Sequence, residues 1–152
     1  MISASSIHIR TYVDDDFEDV VALWHACGLL RSWNKPASDI ALCRSTPSSE
    51  LFVGLAGDNA TKLIATVMTG SDGHRGWMYY LAVDPALRHK GFARAMVRQA
   101  ENWLAALGIC KVELMIRDDN EAVRSFYEKI GYAIEPRVVM SRWLVNKKQD
   151  LR

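Results

Sequence analysis

Six consecutive residues, Arg88-His89-Lys90-Gly91-Phe92-Ala93, bring three basic side chains and a glycine to the start of a helix-patterned segment. The chemistry on offer there is anion binding. A helix N-terminus carries N–H groups with no intrahelical partner and the positive end of the macrodipole, so a phosphate or pyrophosphate sits well against it. Gly91 permits close backbone approach, Ala93 is too small to obstruct it, and Arg88, His89 and Lys90 add local charge. The order is neither the G-K-[ST] of a Walker A loop nor G-x-G-x-x-G. An ordinary helix start with surface basic residues would read the same way, so the motif alone leaves both readings open.

A second run, Asn120-Glu121-Ala122-Val123-Arg124-Ser125-Phe126-Tyr127-Glu128-Lys129-Ile130-Gly131-Tyr132, opens on a natural N-cap. Asn120 and Tyr127 are seven residues apart, two helical turns, and so share a face. A phenol on such a face, beside an anion site, can hand a proton to a departing thiolate, because free thiols and phenols have pKa values near ~8.5 and ~10. Tyr127 also continues the apolar stripe of Val123 and Phe126, where it would be a core aromatic.

The elements that must position these residues follow from periodicity and punctuation. Residues 7–12 alternate as a first strand. Asp15 and Glu18 suggest a capping box for a helix carrying Phe17, Val20, Val21, Trp24 and Cys27, which ends at Gly28. An apolar-aromatic loop, residues 28–36, precedes a short helix from Ser38 to Arg44. Leu51–Ala56 and Lys62–Thr69 form a hairpin about Gly57-Asp58-Asn59, and the run GSDGHRG (70–76) leads to Trp77–Val83. The unbroken apolarity of that last segment predicts a strand covered on both faces. A helix from Phe92 to Leu107 has a periodic stripe and Gly108 at its end. Lys111–Ile116 reads as a strand, Asn120–Ile130 as a helix, and Val138–Val145 as a last strand before a solvated tail of about 146–152. The expected architecture is a single α/β domain, residues 1–152, with a mixed sheet.

Composition sets the outer bounds. The chain has 152 residues, 49% of them hydrophobic and 24% charged, enough to bury one core. Nineteen Lys+Arg against eighteen Asp+Glu leave a net charge of +1. No whole-protein field therefore draws nucleic acid or an anionic membrane, and the interleaved acids argue against a continuous nucleic-acid surface. The N-terminus has no signal-peptide pattern and no run of apolar residues is long enough to span a membrane, so a cytoplasmic location is expected. Cys27, Cys43 and Cys110 lack any C-x-x-C pattern and are expected as reduced, buried thiols, while His25 and Cys27 face apart, so no metal site is expected.

Taken together, Val83-Asp84-Pro85, the R-x-x-G-x-A turn and N-x-x-V-x-x-F-Y-x-x-x-G-Y resemble the GNAT superfamily of acyl-CoA-dependent N-acetyltransferases. The resemblance covers most of the chain and is strongest over residues 77–132; GLLRSWNKPASDI and TGSDGHRGWMYYLAV more narrowly resemble the bacterial YpeA-type proteins of that superfamily. It implies a mostly antiparallel central sheet, flanking helices and a V-shaped splay between two central strands. It also implies acetyl-CoA as co-substrate, with Leu81, Ala82 and Val83 pairing with the pantetheine arm. Arg88, His89, Lys90, Gly91, Phe92 and Ala93 would cradle the pyrophosphate. Asn120 would reach the pantetheine region, and Tyr127 would protonate the leaving thiolate. Ala93 stands where the pattern has a second glycine, a tolerable variant.

The implied reaction is direct attack of a neutral primary amine on the thioester, so a protonated acceptor needs a general base. Asp72 and His74, in the loop before the central strand, are the base candidates, and the alternative is a turn whose polar residues bond their own backbone. Glu113 is a third, more naturally a cross-strand partner. Trp33 and Asn34 fall where such folds shape the acceptor pocket, and Tyr79 and Tyr80 either line the site or pack in the core. The acceptor is a small-molecule or protein amine. A non-catalytic acyl-CoA-binding sensor is the competing class, against which the presence of both Asn120 and Tyr127 counts. A homodimer is expected from family analogy alone.

Overall fold

A tight turn at Gly57, where φ is +87°, folds β2 (Ser49–Ala56) back on β3 (Lys62–Ser71). Glycine reaches that left-handed conformation without a Cβ clash. The computed structural model describes residues 7–145. Around the hairpin, β1 (His8–Thr11) adds antiparallel to β2, and β4 (Gly76–Val83) antiparallel to β3. β5 (Val112–Glu113) lies parallel to β4. The described residues thus form a five-stranded sheet in the order β1-β2-β3-β4-β5, mostly antiparallel. Its helices are α1 (Phe17–Ala26), α2 (Pro36–Ser45), α3 (Phe92–Ala106) and α4 (Glu121–Lys129). The expected α/β class and mixed sheet are what the chain adopts.

Alternation along β2 divides the core. Leu51 and Val53 join Val20, Leu23 and Trp24 of α1 and Ile40 and Cys43 of α2 in one buried cluster. Gly54, on the other parity, is needed for close approach: a Cβ there would meet the Met96 sulfur of α3 at 3.0 Å. The stripe Met96, Val97, Ala100 and Leu104 is buried as its period requires, and truncating a side chain such as Leu104 costs ~2–5 kcal/mol. Residues up to Leu114 form one compact unit, and those from Met115 onward, including α4, form a second.

Several expectations change. α1 is not started by an Asp15–Glu18 box; a 3-10 turn, Asp14–Asp16, precedes it. There the Asp16 carboxylate accepts the Val13 N–H at 2.9 Å and two Arg10 nitrogens at 2.7 and 2.9 Å. β4 is not covered on both faces: Met78 and Ala82 are buried, but Tyr79 is 47% exposed. Lys111–Ile116 shrinks to two paired residues. The predicted strand Val138–Val145 joins no ladder in the described residues, and Val138, Met140 and Leu144 are exposed. Strand-like composition supplies apolar, branched side chains but not a neighbour for the backbone. Cys43 is buried and Cys27 half-buried, whereas Cys110 is exposed. The predicted tail at 146–152 lies outside the described residues.

Candidate active site

The register of β3 against β4 slips beside the middle of β4. Thr66 pairs with Ala82 and Met68 with Tyr79, so Val67 faces two residues, Tyr80 and Leu81. This is a β-bulge, and Tyr80 carries its strain at φ +51°, a conformation rare for a bulky residue. Such strain persists only where the surroundings over-determine it. Here they do. The Tyr80 ring stacks on Trp24 with centroids 3.9 Å apart and planes at 11°. Trp24 Nε1 donates to Thr66 Oγ1 at 2.9 Å, and that hydroxyl donates to the Tyr80 carbonyl at 2.8 Å. The Tyr80 hydroxyl donates to Asp39 at 2.6 Å and accepts from Asn34 Nδ2 at 3.3 Å. Burial and then the Asp39 carboxylate push the Tyr80 phenol well above its usual range.

Beyond the bulge β4 has an open edge. β5 pairs only with Gly76 and Trp77, leaving Met78–Val83 without a strand on that side among the described residues. This is the expected splay, although β5 is the last strand described rather than a central one. Leu81 is half-buried and Ala82 and Val83 are buried, so what they present to a ligand is mainly backbone. An extended ligand arm can pair with such an edge as an added strand would.

The glycine turn lies after the same strand. Asp84 caps a short 3-10 turn, Pro85–Leu87, by accepting the Ala86 N–H at 2.9 Å. His89 (φ +61°) and Gly91 (φ +85°) are both left-handed, and Gly91 is the N-cap of α3. The first helical bond closes from Ala95 to the Gly91 carbonyl at 3.1 Å, so the N–H groups of Phe92, Ala93 and Arg94 lie ahead of the ladder. No side chain caps this start and no acidic residue occupies its first turn. Arg88, His89 and Lys90 are exposed, while Phe92 is 1% exposed, so Phe92 offers a ligand its N–H and not its ring. These residues fit a pyrophosphate: open donors, free backbone approach and local positive charge.

α4 starts differently. Asn120 Oδ1 accepts the Val123 N–H at 3.2 Å, as its N-cap reading predicts, and that bond leaves the carboxamide nitrogen out. Tyr127, in the same helix, is 6% exposed, with Phe126 and Tyr132 rings edge-on at 5.0 and 5.2 Å. Burial, and then Tyr132, raise its phenol well above the ordinary range, so it remains protonated at neutral and moderately alkaline pH.

A cleft of about 710 Å³ opens beside the bulge, bounded by the loop after α1, by α2 and by β3 and β4. Tyr79, Tyr80 and Asn34 line it, as does Asp72; Trp33, His74 and Glu113 do not. Asp72 is exposed and ties its own turn: Oδ1 accepts the His74 and Arg75 N–H groups at 2.8 and 2.7 Å, and Oδ2 the Trp77 indole at 3.1 Å. The Arg75 and His74 bonds, then Trp77, hold its carboxyl down at about 2. His74 is exposed in that loop, and Glu113 faces Arg75 at 4.0 Å and Lys111 at 3.8 Å. Trp33 is 49% exposed. Sequence reasoning missed Asp39. At the first turn of α2 an acid complements the helix dipole and looks like nothing more, and only the fold shows it under the Tyr80 hydroxyl.

Comparison with known proteins bears on this arrangement. Residues 10–132 match the family model described as "Acetyltransferase (GNAT) family". An acetyltransferase of Yersinia pestis (strain Pestoides F) is 42% identical over 139 residues, 91% of this chain and 96% of that protein. An acetyltransferase of Sodalis glossinidius (strain morsitans) is 42% identical over 134 residues, 88% of this chain and 92% of that protein. Among solved structures, AAC(6')-Iy in complex with the bisubstrate analogue CoA-S-monomethyl-acetylneamine superposes with a TM-score of 0.77 at 14% identity. It covers 91% of this chain and 99% of that one, a likeness of fold alone. The family match and the two relatives each span most of the chain: it belongs to the acetyltransferase (GNAT) family and is an acetyltransferase.

Proposed function

We propose that this acetyltransferase takes its acetyl group from acetyl-CoA and passes it to a primary amine by direct attack on the thioester. The observation that carries the reading is the start of α3, where a left-handed glycine, the exposed Arg88 and Lys90 cations beside His89, and uncapped N–H groups leave an anion site with no acid in its first turn. The open edge of β4 supports it, since Leu81–Val83 can receive the pantetheine arm. CoA supplies the activated acyl group. The amine nitrogen forms a bond to the carbonyl carbon, a backbone N–H near Leu81–Val83 stabilises the developing oxyanion, and the carbon–sulfur bond breaks. Asn120 and Tyr127 belong to the other compact unit, and their roles rest on the family pattern. Asn120 steadies the pantetheine arm, and Tyr127, held protonated by burial, gives its proton to the leaving sulfur.

The amine must shed a proton before it attacks. Asp72, held at about 2, is a weak base and serves as a fixed negative charge, whereas Asp39 lies in the cleft with one oxygen outside its bond to Tyr80. We assign deprotonation to Asp39, directly or through water, ahead of His74. The two segments that resemble YpeA-type proteins supply much of the cleft wall, and that resemblance brings no acceptor with it. Acetyl-CoA incubated with a panel of primary amines should release free thiol and give products heavier by one acetyl group. Tight acetyl-CoA binding without turnover of any amine would instead make the protein an acyl-CoA sensor.

A further inference from the structure

The cleft beside Tyr80 carries a charge signature that membership of the family does not specify. Two carboxylates, Asp39 and Asp72, line it, and among the described residues no lysine, arginine or histidine does. The two differ in position. Asp39 is half-buried and bonded to Tyr80, the residue immediately before Leu81, so it lies on the reacting side. Asp72 is exposed, at the rim, and its turn holds it rigidly. Most of the remaining wall is apolar or aromatic, including Leu29, Leu42, Met68 and Tyr79.

An anionic acceptor would meet two like charges and no counter-ion there. A polyhydroxylated sugar would find partners in Asn34, Ser49 and Ser71, but would also set hydroxyls against Leu29, Leu42 and Met68, which can bond none of them. A lone alkylamine would satisfy Asp39 and leave the rim charge to solvent. Resting on the amine-acylation reading above, we propose that the acceptor is a small dicationic amine with an apolar body: the nitrogen to be acylated beside Asp39 and Tyr80, and a second cationic group against Asp72. The cleft, about 710 Å³, has room for a ligand that reaches both carboxylates at once. Asp72 is then a specificity-determining residue and not the base.

Steady-state kinetics on the full chain with acetyl-CoA test this. The acceptors are α,ω-diaminoalkanes, alkyl monoamines of matching length, ω-amino acids whose far end is a carboxylate, an aminoglycoside and a lysine-containing peptide. The diamine should exceed the matched ω-amino acid by about 100-fold or more in kcat/KM, with the monoamine between them. Asp72→Asn retains an oxygen for the turn and should raise KM for the diamine with little change in kcat, reducing its advantage over the monoamine to within about 3-fold. Thr46→Lys, which puts a cation into the same wall, should shift preference toward the ω-amino acid and does not depend on the Asp72 turn. Equal turnover of diamine and ω-amino acid, or faster turnover of the aminoglycoside or the peptide, would overturn the dicationic acceptor and leave amine acylation standing. Bound acetyl-CoA with no thiol release on addition of any of these amines would overturn both.

Discussion

Tyr127 is a phenol that cannot ionise in its working range, because burial first and Tyr132 second disfavour the phenolate. In the proposed reaction it is therefore an acid that is always loaded, and its contribution there is a proton placed at the sulfur at the moment of departure. Tyr127→Phe keeps the ring packed against Phe126 and Tyr132. It should lower kcat by about 100-fold while changing the CoA dissociation constant by less than about 3-fold. Single-turnover kinetics beside equilibrium CoA binding separate the two, and unchanged turnover would remove the acid role. The raised phenol also means that any fall in wild-type activity between about pH 8 and 10 must come from another group.

At the scale of elements, α3 and its turn act together. Gly91 holds φ +85°, where a side chain both strains the backbone and fills the approach to the helix start. Gly91→Glu should weaken CoA binding by at least about 100-fold, equivalent to ~3 kcal/mol, through crowding and charge. Asparagine tolerates the left-handed region, so Gly91→Asn should retain a good part of the affinity, and calorimetric titration of both distinguishes charge from strain. The same elements show what can be read without coordinates. α3 is legible because its stripe, its opening glycine and its closing glycine all agree, and the observed helix, Phe92–Ala106, differs from expectation at one end by a residue. The bulge in β4 is illegible because it depends on which residues of β3 lie opposite, a long-range register that WMYYLAV alone does not encode. Asp39 is hidden for the same reason: its partner Tyr80 is 41 residues away. Val138–Val145 fails in the opposite sense, with local propensity present and no ladder to join.

At the scale of the whole molecule, stability and charge meet at Arg10 and Asp16. The forked Arg10 bond, with help from the Val13 N–H and against the cost of burial, lowers the Asp16 carboxyl below its ordinary range. A depressed carboxylate adds stability above its unfolded pKa of about 4, and that stability is lost as pH falls through the lower, folded value. Asp16→Asn should therefore cost about 1 kcal/mol at pH 7, because the Arg10 side chain is 34% exposed and water screens the pair, and the gap from wild type should close as pH falls through the lowered folded value. Urea unfolding at several pH values measures it; a constant gap would mean that packing, not ionisation, is what the substitution removes.

Tyr80 has one more consequence, and it concerns inheritance. Its hydroxyl lines the cleft proposed for the acceptor, while its backbone sets the bulge beside Leu81 and the open edge. Substitution at that position disturbs both halves of the reaction together, so selection for a new acceptor finds no free variation there. The residues able to drift are Leu29, Leu42 and Thr46, in the loop after α1 and in and just beyond α2, which border the cleft but carry none of the β4 ladder. A lineage diversifying from this chain is thus expected to rewrite the first third of its sequence and keep its fourth strand almost unedited.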